Sequence, residues 1–254
     1  MSSETSVVVT GAAGGLGSLI VATLVERGVN VVCVDRDQAA LDRMIGGLSG
    51  SGETLAVAGD VSNEEQVAAF IDAGKKKWGR LTGAVFAAAI NGDAGKLHES
   101  PTQVFDDVIR INTKSVWLGM KYLLPVLLEN GGGSIVSVGS VAALRGAPNL
   151  AAYAASKHAV VGLSQTVALE YATANIRSNV VCPGSMNTQL IRPMLAVRGA
   201  GDEAEGERQT VAGIPNGRLA QPEELAATAI WLLLDAPTHL TGQEVVVDGG
   251  RTAL

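Results

Sequence analysis

Short, continuous apolar runs recur along the chain, and between them apolar residues return every three or four positions. The runs Ser6–Thr10, Val29–Asp35, Thr54–Asp60, Leu81–Ala89, Gly133–Ser140, Ile176–Pro183 and Glu244–Asp248 have the length and bounding residues of strands. Their continuity suits parallel strands, which are covered on both faces. The stretches between them read as helices. Gly15–Arg27, for example, sets Leu16, Leu19, Ile20 and Leu24 on one side, as a helix packed on a sheet requires. Strands alternating with helices imply right-handed βαβ crossovers, hence an α/β fold with a seven-stranded parallel sheet and helices on both faces. Ser62 with Glu65, and Ser100 with Gln103, fit capping boxes, and Pro101 and Pro222 are expected as first helical residues. The polar stretch 187–217 is longer than a tight connection and predicts a small helical excursion or a lid.

Composition narrows the partners. No linker or change of composition divides the 254 residues, so one domain over 1–254 is expected. Apolar residues make up 47% and aromatics only 4%, which suits a sheet packed by Ala, Val and Leu. A net charge of −6 argues against nucleic acid or an anionic membrane surface as partner, since both need concentrated Lys and Arg. The only basic run, Lys75 to Lys77, reads as the last turn of a helix. The apolar stretch Val116–Leu128 carries Lys121 and Pro125 and is too short to span a membrane. Cys33 and Cys182 lack a Cys-x-x-Cys partner and are expected as reduced core thiols, and no cluster has metal-ligand spacing. No export signal is visible, so a cytoplasmic protein is expected.

The first strand runs into Thr10-Gly11-Ala12-Ala13-Gly14-Gly15-Leu16-Gly17 and then into a helix. Glycines there permit φ > 0 and close backbone approach to a pyrophosphate, which the free N–H groups and dipole of the following helix stabilise. Asp35 closes the second strand 18 residues beyond Gly17, near the spacing of an acid that accepts from an adenosine ribose; a carboxylate there favours NAD over NADP. The adjacent Arg36 is an exposed loop cation or, alternatively, a phosphate ligand. Asp60-Val61 ends the third strand at a carboxyl edge where an adenine could lie, or is simply an acid that precedes a helix. Tyr153 and Lys157 are four apart and share a helix face, and Ser140 ends a strand at the carboxyl edge of the sheet. His158 is turned about 100° from Lys157 and reads as a surface or subunit-contact residue.

These features resemble the short-chain dehydrogenases/reductases over essentially the whole chain. The matches are Thr-Gly-x-x-x-Gly-x-Gly at 10–17, Asp60-Val61, Asn112 in Ile111-Asn112-Thr113, Ser140, Tyr153-x-x-x-Lys157, Pro183-Gly184 followed by Thr188, and Val247-Asp248-Gly249-Gly250. The resemblance implies a Rossmann-type doubly wound sheet, an NAD-dependent alcohol dehydrogenase or ketone reductase, and a homotetramer. One departure stands out. Where relatives carry Asn-Asn-Ala-Gly, this chain reads Phe86-Ala87-Ala88-Ala89, with Asn91 two residues on, losing side chains assigned to bracing the sheet and shaping the adenosine path.

By the same resemblance, Tyr153 exchanges a proton with the substrate oxygen while hydride moves to or from the nicotinamide. Lys157 lowers the phenol's pKa and holds the nicotinamide ribose. Ser140 orients the substrate oxygen, and Asn112 holds a water that links Lys157 to solvent. The cofactor set is then Gly11, Gly14, Gly15, Leu16 and Gly17, with Asp35, Arg36, Asp60, Val61 and Ala88, and with Tyr153, Lys157, Pro183, Gly184, Met186 and Thr188, the last anchoring the carboxamide. Ser140, Ala142, Leu144, Asn149, Leu150, Tyr153, Ser185 and Met186 would wall the pocket, whose small or apolar residues suit a compact neutral ketone or secondary alcohol, including alicyclic ones. Three other readings stay open: capture of a carboxylate or thioester-linked phosphate by Arg145, Arg192 and Arg198, an NADPH-dependent 3-oxoacyl reductase, and a dinucleotide-sensing module without catalysis.

Overall fold

The computed structural model describes residues 5–253; residues 1–4 and 254, part of the expected domain span, lie outside the described residues. All seven strands form: β1 (Ser6–Thr10), β2 (Asn30–Asp35), β3 (Thr54–Ala58), β4 (Gly83–Phe86), β5 (Gly133–Val138), β6 (Ile176–Pro183) and β7 (Glu244–Val247). They pair in parallel as one sheet in the order β3-β2-β1-β4-β5-β6-β7. The expected strands overran at the carboxyl ends of β3, β4, β5 and β7. There Asp60, Ala87 to Ala89, Ser140 and Asp248 leave the ladder and form the loops that shape the site.

The connecting helices are α1 (Gly15–Glu26), α2 (Gln38–Gly46), α3 (Glu64–Trp78), α4 (Thr102–Val108), α5 (Ser115–Glu129), α6 (Ala151–Tyr171), α7 (Arg192–Arg198), α8 (Glu203–Val211) and α9 (Pro222–Ile230). Alternation along each strand feeds two cores. Val7, Val9, Val31 and Cys33 pack with Ile20, Leu24, Leu41 and Ala229 of α1, α2 and α9. Val8, Val32 and Val34 pack with Phe70, Leu118, Leu123 and Val160 of α3, α5 and α6. Burial on both faces is why these strands read as continuous apolar runs. The strand order reverses between β1 and β4, which opens a crevice outside the carboxyl ends, the usual ligand position in open α/β sheets.

Two expected caps are corrected. Asn63, not Ser62, caps α3, its side-chain oxygen accepting the Gln66 N–H at 3.1 Å, because Ser62 is turned toward Asp60. α4 starts at Thr102 after Pro101 without a side-chain cap, so Ser100 does not cap it and Pro101 precedes the helix. Pro222 opens α9 as expected, with the Glu224 carboxylate accepting the Gln221 N–H at 2.8 Å. Lys75 to Lys77 occupy the last turn of α3, and both cysteines are buried free thiols. The stretch 187–217 folds into α7 and α8, packed so closely that a Cβ at Gly206 would lie 1.9 Å from the Leu195 carbonyl oxygen. Among the described residues no helix is long and apolar enough to cross a membrane.

Candidate active site

The loop after β1 is shaped by close backbone approach. Gly11 adopts φ +66°, and a Cβ there would stand 2.9 Å from the Ala88 backbone; a Cβ at Gly17 would lie 2.0 Å from the Gly11 carbonyl oxygen. Gly14 caps α1 with no side chain, and nothing crowds Gly15. The free first-turn N–H groups and the open outer face of the loop therefore fit a pyrophosphate. Asp35 is fixed beside this loop, Oδ2 accepting the Ala13 N–H at 3.1 Å and Oδ1 the Arg36 N–H at 2.8 Å. The exposed Arg36 guanidinium has no partner among the described residues. Asp60 accepts from the Ser62 hydroxyl at 2.6 Å and pairs with Arg110 at 3.3 Å, and Val61 beside it is buried.

The missing asparagines after β4 are replaced by other braces. The Thr10 hydroxyl oxygen accepts the N–H groups of Ala87 and Ala88 at 3.2 and 3.4 Å, and the Phe86 ring fills the space that the absent side chain of Gly119 leaves. Asn112 sits in a π-helical turn, Ile109–Lys114, that joins α4 to α5. Such a turn displaces a side chain from the regular helical position. Asn112 is 1% exposed; its Oδ1 accepts the Ile90 N–H at 2.8 Å, and its Nδ2 donates to the Ile90 carbonyl at 2.9 Å and to the Ser156 hydroxyl at 3.0 Å. It thereby clamps the loop after β4 onto α6, one residue from Lys157.

Ser140 lies just past β5, its hydroxyl oxygen accepting the Ala142 N–H at 3.1 Å. Tyr153 and Lys157 project from the first turns of α6 with the Lys157 ammonium 5.5 Å from the Tyr153 ring centre. That ammonium is buried and donates to the Val138 carbonyl at 2.8 Å. Burial dominates the titration of both groups. Burial pushes the Tyr153 phenol up to about 12, with the Ser140 side chain pulling the other way. Burial also drags the Lys157 ammonium down to about 8. In each the cost of leaving water outweighs the opposing effect, the Ser140 hydrogen bond at Tyr153 and the Cys182 thiol at Lys157, so the phenol holds its proton at neutral pH.

A cavity of about 790 Å³ opens at the carboxyl ends of β5 and β6, under α7. Ser140 and Tyr153 line it together with Ala142, Asn149, Leu150, Pro183, Gly184, Ser185, Met186 and Thr188, all expected from the sequence. Leu144 is a correction: it is 39% exposed and lies outside the lining, because the short helical turn Val141–Ala143 carries it past the cavity. Of the three arginines considered, Arg145 and Arg198 line the cavity, whereas Arg192 is bound to Asn187 at 2.7 Å and pairs with Glu207 at 3.6 Å. Among the lining residues that the sequence did not point to, two make specific links. Asn91 donates to the Leu190 carbonyl at 2.7 Å and ties the loop after β4 to the 187–217 segment. Arg251, in the turn after β7, donates to the Ser185 hydroxyl at 3.0 Å; Asp248 builds that turn by accepting the N–H groups of Gly250 and Thr252, a link no sequence pattern signals.

Comparison with known proteins gives the family and agrees with the fold. The family model described as Enoyl-(Acyl carrier protein) reductase matches residues 11–252. 2-(S)-Hydroxypropyl-CoM dehydrogenase 3 of Xanthobacter autotrophicus is 34% identical over 249 residues, covering 98% of this chain and 96% of that protein. Cyclohexanol dehydrogenase of an Acinetobacter species is 35% identical over 246 residues, covering 96% of this chain and 94% of that protein. The crystal structure of levodione reductase superposes with a TM-score of 0.95 at 30% identity, covering 100% of this chain and 99% of that one. The chain belongs to the short-chain dehydrogenase/reductase family. It is thus an oxidoreductase of a family whose dehydrogenases use nicotinamide dinucleotides.

Proposed function

We propose that the protein transfers a hydride between NAD(H) and a small secondary alcohol or ketone, with Tyr153 as the proton donor and acceptor. The observation that carries this reading is that Tyr153 and Ser140 line one cavity at the carboxyl edge of the sheet, with Lys157 buried beside the phenol. The relatives act, by their names, on secondary alcohols, a cyclohexanol and a dione. A bound nicotinamide supplies or accepts the hydride. Tyr153, protonated at neutral pH, donates to a carbonyl oxygen, which suits ketone reduction. Ser140 holds the same oxygen, and Lys157 and Thr188 hold the ribose hydroxyls and the carboxamide. Asn112 positions this end of α6 through Ser156. Asp35 beside the glycine loop supports NAD, because its carboxylate accepts from ribose hydroxyls and repels a 2′-phosphate.

The test is reduction of cyclohexanone and related ketones by the full chain with NADH or NADPH. NADH should be preferred by roughly tenfold or more in kcat/KM, the worth of one such charge contact. A preference for NADPH overturns the cofactor assignment, and no oxidation of either cofactor across a panel of ketones and alcohols supports a non-catalytic dinucleotide module. We further propose a homotetramer. Large apolar side chains left open on α4, α5 and α6, namely Phe105, Trp117 and Leu169, support it, and light scattering tests it.

A further inference from the structure

Three arginines converge on the cavity that Tyr153 and Ser140 line. Arg145 comes from the segment after β5, Arg198 from the end of α7 and Arg251 from the turn after β7, so three distant stretches deliver cations to one place. No Asp or Glu lines this cavity among the described residues. The convergence is electrically felt: burial, and then the positive charges of Arg145 and Arg198, hold Arg251 below the usual arginine range. Asp248, the acid acting on Arg251, has its carboxylate oxygens engaged by the Gly250 and Thr252 N–H groups. Among the described residues Arg145 and Arg198 have no ion pair, whereas Arg192 and Arg208 of the same excursion are paired with Glu207 and Glu205.

Gathering like charges in a partly enclosed site is unfavourable unless an anion joins them. Guanidinium forks match the geometry of carboxylate, sulfonate and phosphate oxygens. Leu150, Met186, Leu190 and Leu195 also give the cavity an apolar wall for a hydrocarbon body. We propose that the substrate carries an oxyanion gripped by Arg145, Arg198 and Arg251 while its carbonyl or carbinol faces Tyr153 and Ser140. This takes up the oxyanion alternative in place of a wholly neutral substrate, with Arg251 instead of Arg192, and rests on the catalytic reading above.

The test compares 4-oxocyclohexanecarboxylate with its methyl ester, and 5-oxohexanoate with its methyl ester, on the full chain with saturating NADH. The acids should exceed the esters in kcat/KM by about tenfold or more, and Arg145→Met with Arg198→Met should collapse that ratio by about the same factor, through KM for the acid. Both residues are exposed, so the double variant should keep the wild-type melting transition. Sulfonate and phosphonate analogues of the same skeletons then rank which oxyanion the site prefers. Calorimetric titration of the acid into Tyr153→Phe holoenzyme reads binding without turnover and should weaken in the double variant. Esters reduced as well as acids, with a ratio the arginines do not move, overturn the proposal and leave the catalytic reading standing. Arginine-dependent binding of the acid without turnover of any ketone supports the anion site and overturns the catalytic reading instead.

Discussion

Replacing Lys157 with methionine isolates the cost of burying its ammonium. Lys157 is 2% exposed, and burial takes its pKa from the ordinary 10.5 down to about 8. Methionine nearly fills the same space, so the main structural loss is the 2.8 Å donor to the Val138 carbonyl, which does not depend on the variant's pH. In the wild type the folded lysine releases its proton near pH 8 and the unfolded one near pH 10.5. Between those values the unfolded chain binds more protons, so native stability rises with pH. The full difference corresponds to ~3 kcal/mol, of which about 2–3 kcal/mol develops between about pH 7 and pH 10. The Tyr153 phenol, pushed up to about 12, stays protonated in the folded state over this range and contributes alike to both proteins. Urea unfolding of wild type and Lys157→Met across the range should show the wild type gaining about 2–3 kcal/mol on the variant as pH rises. Parallel pH profiles would refute the reasoning, since they would mean that the buried ammonium keeps its ordinary proton affinity.

Other consequences are equally direct. Gly17→Ala drives a Cβ into the Gly11 carbonyl oxygen, so it should cost about 1–3 kcal/mol and weaken NADH binding, read by thermal melting and by NADH fluorescence; wild-type values in both would contradict the close packing of loop and helix. Asp35→Ser removes the carboxylate beside the glycine loop and should shift the NADPH-to-NADH ratio of kcat/KM upward by about tenfold, and an unmoved ratio would take cofactor choice away from this residue. Asn112→Ala strips partners from the Ile90 N–H and carbonyl and should destabilise the protein by about 1–3 kcal/mol for each group left unpaired, with kcat falling as the end of α6 loosens. A variant of unchanged stability would show that water replaces the clamp.

The strands were legible because both faces of the sheet are buried, which writes Val-rich runs directly into the sequence, and the glycine loop was legible because only glycine survives at Gly11 and Gly17. Tyr153 and Lys157 were found through helical spacing and family resemblance. What escaped depends on tertiary placement. Ser62 and Asn63 are both good caps, and the competing acceptor Asp60 decided between them. Arg251 reaches the cavity only because β7 pairs beside β6 and Asp248 turns the chain back. Leu144 misses the lining through the twist of a single short turn, and the signs of the Tyr153 and Lys157 shifts follow from how completely the fold removes water from each, which spacing alone does not encode.

The proton that Tyr153 exchanges with the substrate oxygen is probed most directly by Tyr153→Phe, assayed for ketone reduction and for NADH binding on the same preparation. Loss of the hydroxyl should lower kcat by about 10²–10⁴-fold, the usual worth of a positioned acid, while NADH still binds with nearly wild-type affinity. Turnover at the wild-type rate with the phenol removed would contradict the assignment.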